Sequence, residues 1–225
     1  VDILFEDNHI IAVNKAAGEI VQGDSTGDES LLDKVKLYVK KKYKKPGDVY
    51  LGLVHRIDRP VSGIVIFART TKALVRLNKM LQEREIKKTY WALVNDLPEK
   101  DEDELRHYLL KNSEKNKSHA FKKLRSGSKL AILNYKLISR STNYYLLEVD
   151  LQTGRHHQIR CQLASIGCPI KGDLKYGFSR SNKDGSISLH ARRVEFIHPV
   201  KKESVVIVAP TPKKEPLWKQ FENVL

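Results

Sequence analysis

The sequence predicts an α+β fold with a mixed, mainly antiparallel β-sheet core flanked by helices. Short runs of β-branched and aromatic residues between turn residues follow one another more often than they alternate with helical segments. Few segments carry apolar residues at helical spacing. No Gly-rich phosphate loop joins a strand to a helix, which argues against a Rossmann type. The chain has 225 residues, 40% of them hydrophobic. That is enough to fill a core in one large domain or two closely packed lobes, and it argues against disorder.

Taken in order, Ile3 to Phe5 and Ile10 to Val13 read as a hairpin around Glu6-Asp7-Asn8, closed by Gly18. Ser30 to Tyr43 reads as a helix with Leu31, Val35 and Tyr38 or Val39 inward, lysines on its other face and Pro46-Gly47 as its stop. Leu51 to Ile57 and Ile64 to Ala68 read as strands bracketing a turn-rich stretch, Asp58 to Gly63. Thr71 to Glu85 is a helix with Leu74, Leu77 and Leu81 on one face and Thr70 or Thr71 as cap. A strand, Thr89 to Val94, precedes an acidic loop, Asn95 to Glu104. Strands follow at Arg106 to Leu110, Lys129 to Ile138 and Tyr144 to Leu151. Gly154 to Ile166 reads as a helix entered through a glycine, with Ile159, Leu163 and Ile166 inward and Gly167 at its end. Strands Ile187 to Ile197 and Ser204 to Val208 lead to a closing helix carrying Trp218 and Phe221.

The 41 Lys and Arg against 27 Asp and Glu leave a formal charge of 41 − 27 = +14. Such a surplus favours a polyanion, because each cation set against a phosphate releases condensed counterions. The charge is patchy. Lys34, Lys36, Lys40, Lys41, Lys42, Lys44 and Lys45 crowd one helix and its exit, and Lys111, Lys115, Lys117, Lys122, Lys123, Arg125 and Lys129 a later segment. The acids gather at Glu99 and Asp101 to Glu104. The lysine stripe fits a solvated helix face as well as an RNA-contacting one.

No apolar run reaches the ~18 to 20 residues of a membrane span, and no basic stretch followed by an apolar block opens the chain. A soluble, cytoplasmic protein is expected. The two cysteines, Cys161 and Cys168, are too few for a disulfide framework and suit a reducing compartment. With His156 and His157 they invite a zinc reading, but no paired C-x-x-C spacing supports it. No zinc site or membrane partner is expected. The chain begins with Val1 rather than Met, so whatever precedes Val1 lies outside this reading.

His55-Arg56-Ile57-Asp58-Arg59-Pro60-Val61-Ser62-Gly63 sets one carboxylate between two guanidinium groups in a turn after an apolar strand. Opposite charge nearby keeps a carboxylate ionised, so Asp58 could serve as nucleophile or base at neutral pH. The spacing also fits an ordinary Asp-Arg pair tying down a turn. A nuclease reading lacks the cluster of carboxylates that would hold Mg²⁺.

His-Arg-Ile-Asp with Ser-Gly after it resembles the catalytic motif of the RluA-type pseudouridine synthases, written H-R-L-D-x-x-T-S-G, with Val61 in place of the threonine. The resemblance runs through most of the chain. Ile3 to Gly18 is similar to the family's opening strand-turn-strand ending in N-K-P-A-G, with Ala16 at the proline. Lys88-Thr89-Tyr90-Trp91-Ala92 resembles K-x-Y-x-A, and Thr153 to Arg160 resembles T-G-R-x-H-Q-I-R. Pro169 to Asp173 with Tyr176-Gly177 resembles P-I-x-G-D-x-x-Y-G. Leu189-His190-Ala191 and Phe196-Ile197-His198-Pro199 complete the series, while Cys161-Gln162 departs from a small residue followed by histidine.

The resemblance implies the pseudouridine synthase fold, one catalytic domain over 1–225 with no S4-type domain visible, and an isomerase that converts uridine in RNA to pseudouridine without cofactor or metal. It implies Asp58 as the essential aspartate, Tyr90 as the aromatic that stacks on the uracil, and Arg160 as the cation pairing with Asp58. It implies Arg56 in the space left by the extruded base and Leu189 as an apolar wall, with His55, Arg155 and His157 also in RNA binding and base flipping. The expected partner is a stem-loop of rRNA or tRNA, with no protein partner required. Extruding a stacked base costs a few kcal/mol, and a planar guanidinium suits the vacated space better than lysine. The competing reading is an RNA-binding protein or RNA chaperone that kept the fold and lost the chemistry.

Overall fold

The computed structural model describes residues 1–24 and 27–221. The chain divides into two compact units: Val1–Ile86 with Ala191–Pro210, and Lys87–His190 with Thr211–Leu225.

The first unit holds β1 (Ile3–Glu6), β2 (Ile10–Lys15), α1 (Leu31–Lys42), β3 (Gly52–Leu53), β4 (Ser62–Ala68) and α2 (Thr71–Gln82). Of β10 (Leu189–Ile197), residues Ala191–Ile197 belong here, and β11 (Ser204–Val208) follows. The strands run β1-β2-β4-β10, with β11 on β10 and β3 on the end of β4. The paired strands β1 and β2, β2 and β4, and β10 and β11 are antiparallel. Every residue of β4 is buried, as its uninterrupted apolar run dictates for a strand covered on both faces. Ser30 caps α1 by accepting the Asp33 N–H at 3.2 Å, and Leu31, Val35 and Val39 are its buried stripe. Thr70 caps α2 the same way. Ala73, Leu77 and Met80 of α2 join Ile10, Ile64, Ile66, Val194, Phe196 and Ile207 in one apolar core.

The second unit holds β5 (Lys87–Val94), β6 (Glu102–Asn112), β7 (Lys117–Phe121), β8 (Lys129–Arg140), β9 (Tyr145–Leu151) and α3 (Gln158–Ser165). Short 3-10 turns lie at Leu174–Tyr176 and Pro216–Phe221. Its strand order is β5-β9-β8-β6-β7, and each neighbouring pair is antiparallel. Trp91, Leu93, Leu146, Trp218 and Phe221 form one core cluster, and Leu109, Ala131, Cys161 and Tyr176 another.

The mainly antiparallel α+β expectation holds, with corrections to element bounds. The strand expected over Leu51 to Ile57 is only β3, and Val54 to Asp58 runs without regular pairing. The acidic loop ends early, because β6 begins at Glu102 and pairs with β8 out to Lys136. Strand β7 was not anticipated. The helix expected from Gly154 starts at Gln158, because the Gln158 side chain holds the turn before it. Its Oε1 accepts from the Arg155 N–H at 3.0 Å and the Thr153 hydroxyl at 2.8 Å. The closing helix is a 3-10 turn.

Candidate active site

In the first unit, Asp58 opens a tight turn in which the Val61 N–H donates to the Asp58 carbonyl at 3.0 Å. The turn is fastened to the loop after β2. Lys15 is completely buried, and its Nζ donates to the carbonyls of Ala16, Glu19 and Arg59 at 2.9, 2.8 and 3.1 Å. The Gly18 N–H donates to the Arg59 carbonyl at 2.8 Å, and Arg59 Nε returns a bond to the Gly18 carbonyl at 3.0 Å. Burial pushes the Lys15 amine down to about 8, opposed by the charges of Glu19 and Asp58, so it stays protonated at pH 7. The Asp58 carboxylate therefore stands within electrostatic reach of a caged ammonium.

Gly63 explains the Ser-Gly end of the motif. Its φ is +112°, and a Cβ there would lie 2.4 Å from the Ala191 carbonyl oxygen, so only glycine fits. Val61, at the position of the family's threonine, is buried with 2% of its surface exposed, so the departure is absorbed as core. His55 accepts the Ile66 N–H at Nε2, 3.3 Å away. Arg56 is exposed and Asp58 partly buried. Lys34 and Lys42 of the lysine stripe are engaged by Glu19 and Glu6, leaving Lys40, Lys41, Lys44 and Lys45 on the exposed face.

In the second unit, Tyr90 is buried on β5 opposite Val149 of β9. Arg160 lies on α3 at 5% exposure and is gripped by Asp173: Nε to Oδ2 at 2.7 Å and a terminal nitrogen to Oδ1 at 2.9 Å. This bidentate geometry holds the guanidinium plane as well as its charge. The sequence reading assigned Asp173 no part, although it lies in the quoted P-I-x-G-D stretch. The turn that presents Asp173 depends on Gly172, whose φ is +86° and whose Cβ would meet the Ser186 carbonyl oxygen at 2.7 Å.

His157 sits in the left-handed region at φ 52° just before α3, stacked on His156 with ring centres 3.8 Å apart. Its Nδ1 lies 3.0 Å from the Tyr176 hydroxyl. That hydroxyl accepts the Ser118 N–H at 2.8 Å, and burial pushes the phenol up to about 12. Arg155 is exposed, with Nε donating to the Leu130 carbonyl at 3.0 Å. Leu189 is buried at the start of β10. The second unit thus holds Tyr90, Arg155, His157, Arg160 and Leu189, and the first His55, Arg56 and Asp58.

Cys161 donates to the Ser118 carbonyl and Gln162 Nε2 to the Leu105 carbonyl, while Gln162 Oε1 is buried without a hydrogen-bond partner among the described residues. Burial pushes both thiols up to about 11, which leaves neither a thiolate at neutral pH. Among the described residues, no three His, Cys, Asp or Glu side chains are placed to hold a metal ion. No described helix is long and apolar enough to cross a membrane.

A model of the family described as RNA pseudouridylate synthase matches residues 9–165, well over half of the chain. Among curated relatives, ribosomal large subunit pseudouridine synthase C of Buchnera aphidicola subsp. Baizongia pistaciae is 33% identical over 92% of this chain and 66% of its own length. The tRNA pseudouridine synthase C of Vibrio vulnificus is 31% identical over 98% of this chain and 93% of its own length. The solved structure of human RNA pseudouridylate synthase domain containing 4 superposes with a TM-score of 0.78 at 21% identity, covering 95% of this chain and 89% of that one. The likeness to that structure concerns the fold. The chain belongs to the RNA pseudouridylate synthase family. It spans about two thirds of the length of several curated relatives.

Proposed function

We propose that the protein isomerises specific uridines of structured ribosomal or transfer RNA to pseudouridine, acting in the cytoplasm as one catalytic domain. Asp58 is the essential carboxylate, Tyr90 the aromatic surface for the target uracil and Arg160 the guanidinium supporting the reacting charge. Arg56, His55, Arg155, His157 and Leu189 hold the RNA and the extruded base. In the reaction the N1 glycosidic bond breaks, the uracil turns, C5 bonds to the sugar, the C5 proton leaves to solvent and N1 takes up a proton, so that the product is an isomer of the substrate.

The observation that carries this reading is the way the protein fixes the Asp58 turn. A fully buried ammonium with three carbonyl bonds and a glycine no other residue can replace are a costly way to present one carboxylate unless its position matters. Of the departures from the family pattern, Val61 is taken up as core, whereas Gln162 bonds the Leu105 carbonyl through Nε2 and leaves its buried Oε1 without a hydrogen-bond partner among the described residues.

The test is tritium release from RNA labelled at uridine C5, in EDTA, by the wild type and by Asp58→Asn. The wild type should release tritium, and the variant should be slower by at least about a thousandfold with RNA binding retained. Equal release by the variant sinks the role of Asp58. No release by a wild type that still binds RNA favours the inactive reading.

A further inference from the structure

Lys88 lies two residues before Tyr90 on β5, so the two side chains leave the strand on the same face. Its stem is partly buried, and its ammonium reaches the turn before α3: a Cβ built on Gly154 would lie 3.7 Å from Lys88 Nζ. Other cations at similar or greater depth are engaged by the protein itself. Lys15 has its three carbonyls, Arg160 has Asp173, and Lys171 has Asn182 and Glu215. Lys88 has no hydrogen-bond or ion-pair partner among the described residues. Burial lowers its amine below the ordinary lysine value.

A partly desolvated ammonium without an acceptor detracts from folding stability. Its compensation then lies in what binds. Gly154 leaves the ammonium uncovered, where any side chain would rest against it. Arg155, next in the chain, uses Nε on a carbonyl while the residue as a whole stays exposed, which sets a second cation at the same turn. We infer that Lys88 receives a backbone phosphate of the substrate RNA beside the target nucleotide. This rests on the RNA-isomerase reading above. A phosphate suits a compact ammonium better than a uracil carbonyl does, because only an anion discharges it.

The test uses an unmodified in vitro transcript of bacterial large-subunit ribosomal RNA and a pool of tRNA transcripts. Binding is measured in EDTA from 50 to 200 mM KCl, with every variant built on Asp58→Asn so that no turnover occurs. Lys88→Met should weaken binding about five- to tenfold near 0.1 M salt and flatten the slope of log K against log salt by about 0.7 to 0.9. Lys88→Arg should restore most of the slope. Gly154→Ala, whose methyl meets the ammonium at ordinary contact distance, should weaken binding to a smaller degree. The melting temperature of Lys88→Met should equal or exceed that of its parent.

An unchanged slope with weakened binding would mean a neutral contact and overturn the phosphate assignment. So would unchanged binding, or a melting temperature several degrees lower, which would show a structural lysine. Absence of RNA binding by the Lys88-intact parent would bring down the RNA reading itself, an outcome distinct from failure confined to the Lys88 variants.

Discussion

Lys15 and Lys88 sit in two motif stretches and differ in everything but residue type. Lys15 ends β2 with no surface exposed and every donor directed at a carbonyl. Lys88, the second residue of β5, has its stem partly buried and its charge unanswered. The first has the form of a strut and the second of a contact awaiting a ligand. A buried cation satisfied by the protein is there for the architecture it holds, whereas one that the protein leaves unsatisfied points outward to chemistry. The contrast yields a ranking of how much each buried charge should matter to stability.

The largest effect is expected at the fully paired end of that ranking. Asp173→Asn keeps the shape at the Arg160 site and removes a bidentate carboxylate from a guanidinium at 5% exposure. Breaking a buried pair on one side costs about 3 to 5 kcal/mol, which thermal unfolding followed by circular dichroism should register as a drop on the order of 10 °C. A loss below ~1 kcal/mol would show that the charge of Arg160 is also met by groups other than Asp173.

Lys15→Met should come next. Methionine matches the stem, but the carbonyls of Ala16, Glu19 and Arg59 lose their donor, at about 1 to 3 kcal/mol for each that water fails to reach. A total near 3 kcal/mol is expected, with a lower single-turnover rate because the Arg59 carbonyl belongs to the turn carrying Asp58. If Lys15→Met melts like the wild type while Lys88→Met does not, the comparison is reversed.

How much of this was legible in the sequence depends on whether the signal was local. The hairpin, both capped helices of the first unit and β11 follow from apolar periodicity and cap residues, as at Ser30 and Thr70. Strand β7, Lys117–Phe121, was invisible because its lysine and histidine suggest a basic surface, and it is a strand through its pairing with β6. The start of α3 was misplaced because Gln158 spends its side chain on Thr153, Arg155 and the Ile132 carbonyl, a tertiary contact no helical pattern encodes. Asp58, Tyr90 and Arg160 are assigned through motif resemblance alone. The Asp173 grip, the Lys15 cage and the vacancy at Lys88 were not legible, because each is a relation between residues distant in sequence or the lack of one. Only Lys15 and Asp173 had a signal to offer, a charged residue inside an otherwise apolar or glycine-bearing motif.

The smallest effect belongs to a group satisfied in one protonation state only. His198, with 1% of its surface exposed, accepts the N–H groups of Val200 and Lys201 at Nδ1, 3.2 and 2.9 Å away. Nδ1 therefore carries no proton, and the remaining proton of the neutral ring is on Nε2, which faces Asp7 Oδ2 at 3.0 Å. Lys201 Nζ approaches the same oxygen at 3.0 Å. Burial lowers the imidazole below its ordinary value, with Asp7 opposing and Lys201 and His9 adding slightly to the shift. Since the folded value lies below the unfolded one, the unfolded chain binds the proton first as pH falls. The contribution of His198 is complete above about pH 6.5 and is lost as pH drops from there towards the folded value, with a slope of at most about 1.4 kcal/mol per pH unit. His198→Asn keeps an acceptor near the Nδ1 position and cannot titrate. Urea unfolding at a series of pH values should show the wild type losing stability below pH 6.5 relative to this variant. Parallel curves would mean that the folded and unfolded chains bind the His198 proton equally, with Asp7 offsetting burial and the loss of the Val200 and Lys201 bonds.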